Sequence, residues 1–214
     1  YRLSFNIKRL SGFERNVMPK LSEDDLAARR HEIIAAAGRC FARKGIQATT
    51  MREIFAEAGM SAGAVYNYFR TKDELIEAGI RESTARNVAM LSDGGPNASA
   101  RGDFEQIIDL FLDDLEPSRH DGRARSTPMI HAEVCVKPEL LAIFQAGRDQ
   151  IRIAARQQVR SARPELSEDQ AAHIVEFVFL LYQGMVTEAA LDAPVDVEAM
   201  RGLIKTILHR YPDL

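Results

Sequence analysis

The chain has 214 residues, 46% of them hydrophobic and 28% charged, which is enough apolar material for a buried core and excludes wholesale disorder. There is no Trp, aromatics reach only 7%, and Gly and Pro number 13 and 8, a composition that favours helices over an all-β sandwich or barrel. Two cysteines, Cys40 and Cys135, exclude a disulfide framework and fit a reducing compartment, and the formal charge of −3 excludes a uniformly basic coat but not a local basic patch.

Residues 1–17 are mildly basic and lack the apolar stretch of a signal peptide. Met18-Pro19-Lys20 reads as a start, so 1–17 is read as a disordered upstream extension, an N-terminal arm on DNA being the other reading. Charge is uneven beyond it. Residues 19–72 carry nine Lys/Arg against six Asp/Glu, whereas 73–214 carry a net −9. A small basic module joined to an acidic body suits a DNA reader with a separate control domain.

Ser22 with Asp25 opens a first helix in capping-box style. Leu26, Ile33, Ile34, Ala37, Cys40 and Phe41 recur at helical spacing, and Lys44-Gly45 supplies a cationic last turn and a stop. Thr50 to Glu53 is a second capping box, with Ile54, Phe55 and Ala58 facing inward and Gly59 ending the helix. Ser61 caps a predicted third helix from Ala62 to about Phe69. Thr71 to Glu74 opens a fourth, which runs on from Arg81 to Leu91. Two helices separated by Gly59-Met60-Ser61 suggest a helix-turn-helix, with an ordinary helical hairpin as the plainer reading. Ala62, Gly63 and Ala64 are small enough for close approach to base edges, and Tyr66, Asn67 and Tyr68 carry polar tips.

Residues 92–102, with Gly94-Gly95-Pro96, read as a loop. Phe104, Ile107, Ile108, Phe111, Leu112 and Leu115 mark a helix expected to end at Pro117. Arg119 to Thr127 reads as a polar, basic loop, and Met129 to Val136 as a short helix stopped by Pro138. Glu139–Ala162 is long and amphipathic. Ser167 caps a helix reaching about Leu191, and Val195–His209 is the last. Ile174, Val175, Phe177, Val178, Leu181 and Met185 form an apolar strip broad enough for a core or an oligomer interface. The most apolar run, Phe177–Tyr182, is far too short to span a bilayer. Enzyme signatures are missing: there is no phosphate-binding glycine loop and no nucleophile elbow, and His31-Glu32 lacks the second histidine of a zinc-protease helix. His120-Asp121 and His131-x-Glu133 read as ordinary polar residues rather than metal ligands. No catalytic residue, metal or cofactor is expected.

Residues 45–75, GIQATTMREIFAEAGMSAGAVYNYFRTKDEL, closely resemble the DNA-binding signature of the TetR (tetracycline-repressor) family of bacterial regulators. The glycine, the Thr-Thr pair, the Ile, the Ala-Gly turn, the Ser-x-Gly, the Tyr-x-Tyr-Phe and the Lys-x-x-Leu stand in order. One position departs: the residue after Ile54 is often small in that family and is Phe55 here. The resemblance implies an all-helical protein of about nine helices. It would have a three-helix DNA-binding domain over 18–72 and a helical effector-binding and dimerising domain over 73–214. By position, Thr50 and Arg52 would touch phosphate, Ala62 and Gly63 would face bases, and Tyr66, Tyr68 and Lys72 would hold the DNA backbone, with Asn67 serving either.

The C-terminal part resembles the family only in helix order, with Ala132-Glu133 and Pro138-Glu139-Leu140 loosely similar to the betaine-regulator-like subgroup. The resemblance implies a homodimer through the last two helices and a pocket for a small effector. Phe111, Met129, His131, Cys135, Phe144, Phe177, Tyr182 and Met185 are the candidate lining, with plain core packing the better reading for each. The expected protein is a cytoplasmic repressor. Its dimer would place two reading helices about 34 Å apart on a palindromic operator and be released by its effector. The alternative is a helical small-molecule-binding or protein-interaction module without operator specificity.

Overall fold

The computed structural model describes residues 22–61, 63, 66–92 and 104–211, and every regular element among them is a helix. In chain order these are α1 (Glu23–Lys44), α2 (Met51–Glu57), α3 (Lys72–Ser92), α4 (Phe104–Asp113), α5 (Leu115–His120), α6 (Arg123–Cys135), α7 (Pro138–Ala162), α8 (Glu168–Ala190) and α9 (Val197–Arg210). The predicted extension 1–17, loop residues 93–102 and Ala62, Ala64 and Val65 of the predicted third helix lie outside the described residues. Gly63 is helical, and Tyr66–Tyr68 form a turn.

Local chemistry starts the helices where the sequence says. Complete capping boxes open α1 (Ser22, Asp25), α2 (Thr50, Glu53) and α8 (Ser167, Gln170). At α3 the box is modified: Thr71 Oγ1 accepts from Glu74 N, while the Glu74 carboxylate takes the N–H of Arg70 rather than that of Thr71. Gly59 turns the chain after α2 at φ 66°, a left-handed conformation that glycine adopts without penalty.

Residues 113–136 differ from expectation. Pro117 does not end a helix; it lies in the first turn of α5, where a missing N–H leaves no intrahelical bond unmade. The expected basic loop 119–127 is instead the end of α5, a turn and the start of α6. The turn pivots on Gly122 at φ 85°. Arg123 then locks it, donating to both oxygens of Asp114 at 2.7 and 2.9 Å and to Asp121 at 2.7 Å. Ser126 and Thr127 hydroxyls donate to the Arg123 carbonyl. Paired carboxylates thus convert what reads as a solvated arginine cluster into a helix start, and α6 carries Pro128 inside it.

Two large cores result. One gathers Ile33, Phe41, Ile54, Phe55, Phe69, Leu75 and Ile76 of the N-terminal head and continues into Val134 of α6 and Leu140 of α7. The other joins Ile108, Leu112 and Leu115 to Val159, Ile174, Met185, Ile204 and Leu208. Between them α3 lies along α7 at very close range. A methyl group on Gly147 would sit 2.4 Å from Thr84 Oγ1, so this crossing requires glycine.

Candidate nucleic-acid interface and internal cavity

The head is built by tying α1 to α2. Arg39 Nε and Arg43 Nη2 donate to the two oxygens of Glu57 at 2.8 and 2.6 Å, Arg39 also reaches Glu32, and Lys44 pairs with Glu53. Thr49, buried, donates to the Gly45 carbonyl at 2.7 Å. The carboxyl of Glu53 is held down at about 2 by Lys44 first, then by the backbone and hydroxyl of Thr50. Three of the nine basic groups counted over residues 19–72, Arg39, Arg43 and Lys44, are therefore neutralised within the head. Arg52 and Arg70 remain exposed, without an acidic partner among the described residues.

Most of the candidate DNA-contacting residues that are described lie at the surface of the head. Thr50, Arg52, Gly63, Tyr66 and Asn67 are exposed, and Tyr68 is half-buried against the head core. Phe55 acquires a purpose here. It is buried, and its ring meets that of Tyr66 edge-on at 4.9 Å while Tyr66 stays 50% exposed, so the ring is anchored and its hydroxyl faces water. Thr50 spends its hydroxyl on the capping box. Lys72 turns inward, its ammonium donating to the carbonyls of Ile46 at 2.6 Å and Gln47 at 3.3 Å. Ala62 lies outside the described residues.

A polar connection absent from the sequence reading ties this head to the body. Gln47 donates to both carboxylate oxygens of Glu133 at 3.1 and 3.0 Å. Lys137 bridges Glu133 and Asp73, each at 2.6 Å. The Lys137 ammonium holds the buried Glu133 carboxyl below its usual range against the opposing effect of burial. The end of α6 thereby grips both the α1–α2 corner and the first turn of α3. Contacts between residues 86 and 64 positions apart leave no local signal in a sequence.

The other wall of α6 faces a cavity of about 490 Å³. Of the candidate lining residues, Phe111, His131, Phe144 and Tyr182 are brought together around it. Met129, Cys135, Phe177 and Met185 do not line it. Cys135 is exposed at the end of α6, Met129 packs with the head core, and Met185 is buried against α9 beside a second groove. Their helical phase decides this: on α8, Val175, Val178, Phe179 and Tyr182 share the cavity face, whereas Phe177 is turned from it. His131 meets Phe144 edge-on at 5.0 Å, and burial, helped by the nearby Arg148 charge, pushes its imidazole toward the neutral form. Burial raises the Tyr182 phenol to about 12, keeping its proton in place. Arg148 stacks on Phe144 and Phe179, with its Nε buried and unpartnered among the described residues.

On the outer side of α8 and α9, Leu180 and Leu203 are 59% and 52% exposed. Half-buried Phe177, Leu181 and Met200 pack against the second core. Among the described residues no helix is long and apolar enough to cross a membrane.

Residues 33–78 match the family model described as bacterial regulatory proteins, tetR family. The chain is 49% identical over 78 residues to the HTH-type transcriptional repressor Rv1474c of Mycobacterium tuberculosis, covering 36% of this chain and 42% of that protein. It is 33% identical over 105 residues to the HTH-type transcriptional repressor AcnR of Corynebacterium diphtheriae, covering 49% of this chain and 50% of that one. The alignments thus span half the length of these relatives or less. Solved structures share the fold over much more of the chain. A TetR transcription regulator from Haloarcula marismortui superposes with a TM-score of 0.67 at 22% identity, covering 84% of this chain and 96% of that one. Salmonella enterica GusR gives 0.65 at 22% identity, covering 89% and 99%. Residues 33–78 thus match the tetR family of bacterial regulatory proteins, and the described chain shares its all-helical fold with solved regulators.

Proposed function

We propose that this chain is a cytoplasmic transcriptional repressor, not an enzyme, that binds a palindromic operator as a homodimer and is released by a small molecule entering the internal cavity. The observation that carries the reading is the family match over residues 33–78, on a head in which Thr50, Arg52, Gly63, Tyr66 and Asn67 are exposed. In this reading Arg52 meets phosphate, and Gly63 with Ala62 lies at base edges. Tyr66 and Tyr68 hold the DNA backbone, Asn67 meets base or backbone, and Thr50 contributes by shaping the start of α2. Lys72 acts one step back, fixing the corner at Ile46 and Gln47. The exposed Leu180 of α8 and Leu203 of α9 favour a partner subunit on these helices, since a cover for large apolar side chains removes them from water. An effector that favours a conformation with the wrong spacing of the two heads weakens operator binding, and by linkage the operator weakens the effector equally.

Selection of the purified protein on randomised duplex DNA at physiological salt tests this. The expected result is an enriched palindrome with half-sites about one helical turn apart, bound with affinity that falls steeply with salt. A folded dimer that enriches nothing would overturn the repressor reading in favour of a helical binding module.

A further inference from the structure

The polar groups around the cavity fall into two sets. Most are already satisfied by the chain itself. Asp114 and Asp121 both bond Arg123, Arg39 is shared by Glu32 and Glu57, and Glu82 is paired with His31. The second set has no side-chain hydrogen bond or ion pair among the described residues: Thr84, His131, Tyr182 and Gln183, and one turn of α3 that carries its only guanidinium. Ser83, Arg86 and Asn87 stand at i, i+3 and i+4, so they share one helix face, and all three line the cavity. None of them makes a side-chain hydrogen bond or ion pair among the described residues. Arg86 is exposed, and it is the one lining guanidinium without an acidic partner there. Elsewhere the walls are Ile108, Phe111, Ile151, Val159, Val178 and Phe179. The Tyr182 hydroxyl, protonated and without a partner among the described residues, is a further donor, and it feels the Arg86 charge.

We propose that the cavity takes an amphipathic monoanion, its apolar body among these aliphatic and aromatic walls and its carboxylate on Arg86, with Ser83, Asn87 and Tyr182 as supporting donors. This inference rests on the reading of the cavity as the effector site. Charge-assisted hydrogen bonds to a guanidinium are the strong ones, and its fork matches the two oxygens of a carboxylate. No unpaired carboxylate of the lining offers a cationic ligand an equivalent seat. The head group would bind on α3, the helix that begins at the reading head and crosses α7 at Gly147, so occupancy bears on the element that positions the head.

The test is calorimetric titration of the full-length protein with three probes of one chain length: decanoate, decanol and decyltrimethylammonium, each below its micelle-forming concentration. Decanoate is expected to bind at least about tenfold more tightly than either other probe, the scale of one charge-assisted bond. Arg86→Gln, at an exposed position where folding is not at stake, should abolish that preference while leaving decanol binding within about twofold. Tyr182→Phe should reduce it by a smaller factor. Equal binding of the three probes, or preference for the cation, overturns the proposal. If a neutral or cationic probe binds and releases selected operator DNA while decanoate does neither, the effector reading stands and the anion inference falls. If none of the three binds a folded protein that still selects DNA, the inference falls together with the cavity reading, and operator binding alone survives.

Discussion

The head and the body solve opposite problems. In the head, several charges of α1 and α2 pair with each other, and most of its large apolar groups are buried, with Leu26 and Tyr66 exposed: Arg39 and Arg43 meet Glu57, Lys44 meets Glu53, and Ile54, Phe55 and Phe69 are covered. The body leaves things undone. Its cavity carries the unpartnered turn Ser83–Asn87, and its outer face leaves Leu180 and Leu203 in water. A self-satisfied region is built to stay rigid. A region with unmet polar groups inside and unmet apolar groups outside is built for molecules not yet present.

The largest expected effect breaks the outer face. Leu180→Glu with Leu203→Glu should leave a folded monomer and remove operator binding, since a charge at the centre of an apolar interface costs about 2 kcal/mol or more per site. Sedimentation velocity reads the mass; an intact dimer would move the interface elsewhere. Gly147→Ala comes next. The added methyl meets Thr84 Oγ1 at 2.4 Å, and overpacking of this kind costs about 1–3 kcal/mol. A lowered urea midpoint, restored when Thr84→Ala is added, would establish the crossing as the cause. Of similar or smaller size is Glu133→Ala. It removes the acceptor of Gln47 and one of the two carboxylates held by Lys137 at the joint between head and body, at about 0.5–1.5 kcal/mol. Thermal unfolding should then split into separate head and body transitions, whereas a single unshifted transition would deny the joint its role.

The two regions also differ in how much the sequence discloses. Helix starts at Ser22, Thr50 and Ser167 are legible because a capping box acts within three residues. The all-helical fold follows from such local signals and from the family resemblance, and the proposed reading surface at Arg52 and Tyr66 rests on that resemblance. What fails is long-range. The basic run 119–127 reads as a loop until Asp114 and Asp121 are seen to neutralise Arg123. Phe177 and Met185 read as cavity lining because apolar spacing says a side chain is covered without saying by which neighbour. The Glu133 joint and the α3 polar turn carry no periodicity at all, because their meaning lies in partners found or missing across the fold.

Within the head, Arg52 and Lys72 separate direct from indirect contact with DNA. Arg52→Ala should lower affinity by about 1 kcal/mol and reduce the slope of log affinity against log salt by about 1. Lys72→Ala should lower affinity while leaving that slope unchanged, because its charge is committed to the carbonyls of Ile46 and Gln47. A reduced slope for Lys72→Ala would return it to the phosphate contacts.

The smallest effect tests the self-satisfaction of the head. The Glu53 carboxyl is lowered from 4.5 to about 2 by Lys44 and by the Thr50 cap. A group whose folded value is depressed releases its proton more readily in the folded state. Its stabilisation is therefore present in full above about 4.5 and fades as pH falls toward 2. Glu53→Gln keeps the shape and the oxygen acceptor of the cap but removes the charge opposite Lys44. The variant should melt slightly below the parent protein at pH 7, and the gap should narrow between pH 4.5 and pH 2. Titrations common to both proteins cancel in that difference. A gap that is constant over the whole range would mean that Lys44 and Glu53 meet without mattering, as many exposed pairs do, and that the cap's hydrogen bonds alone hold the start of α2.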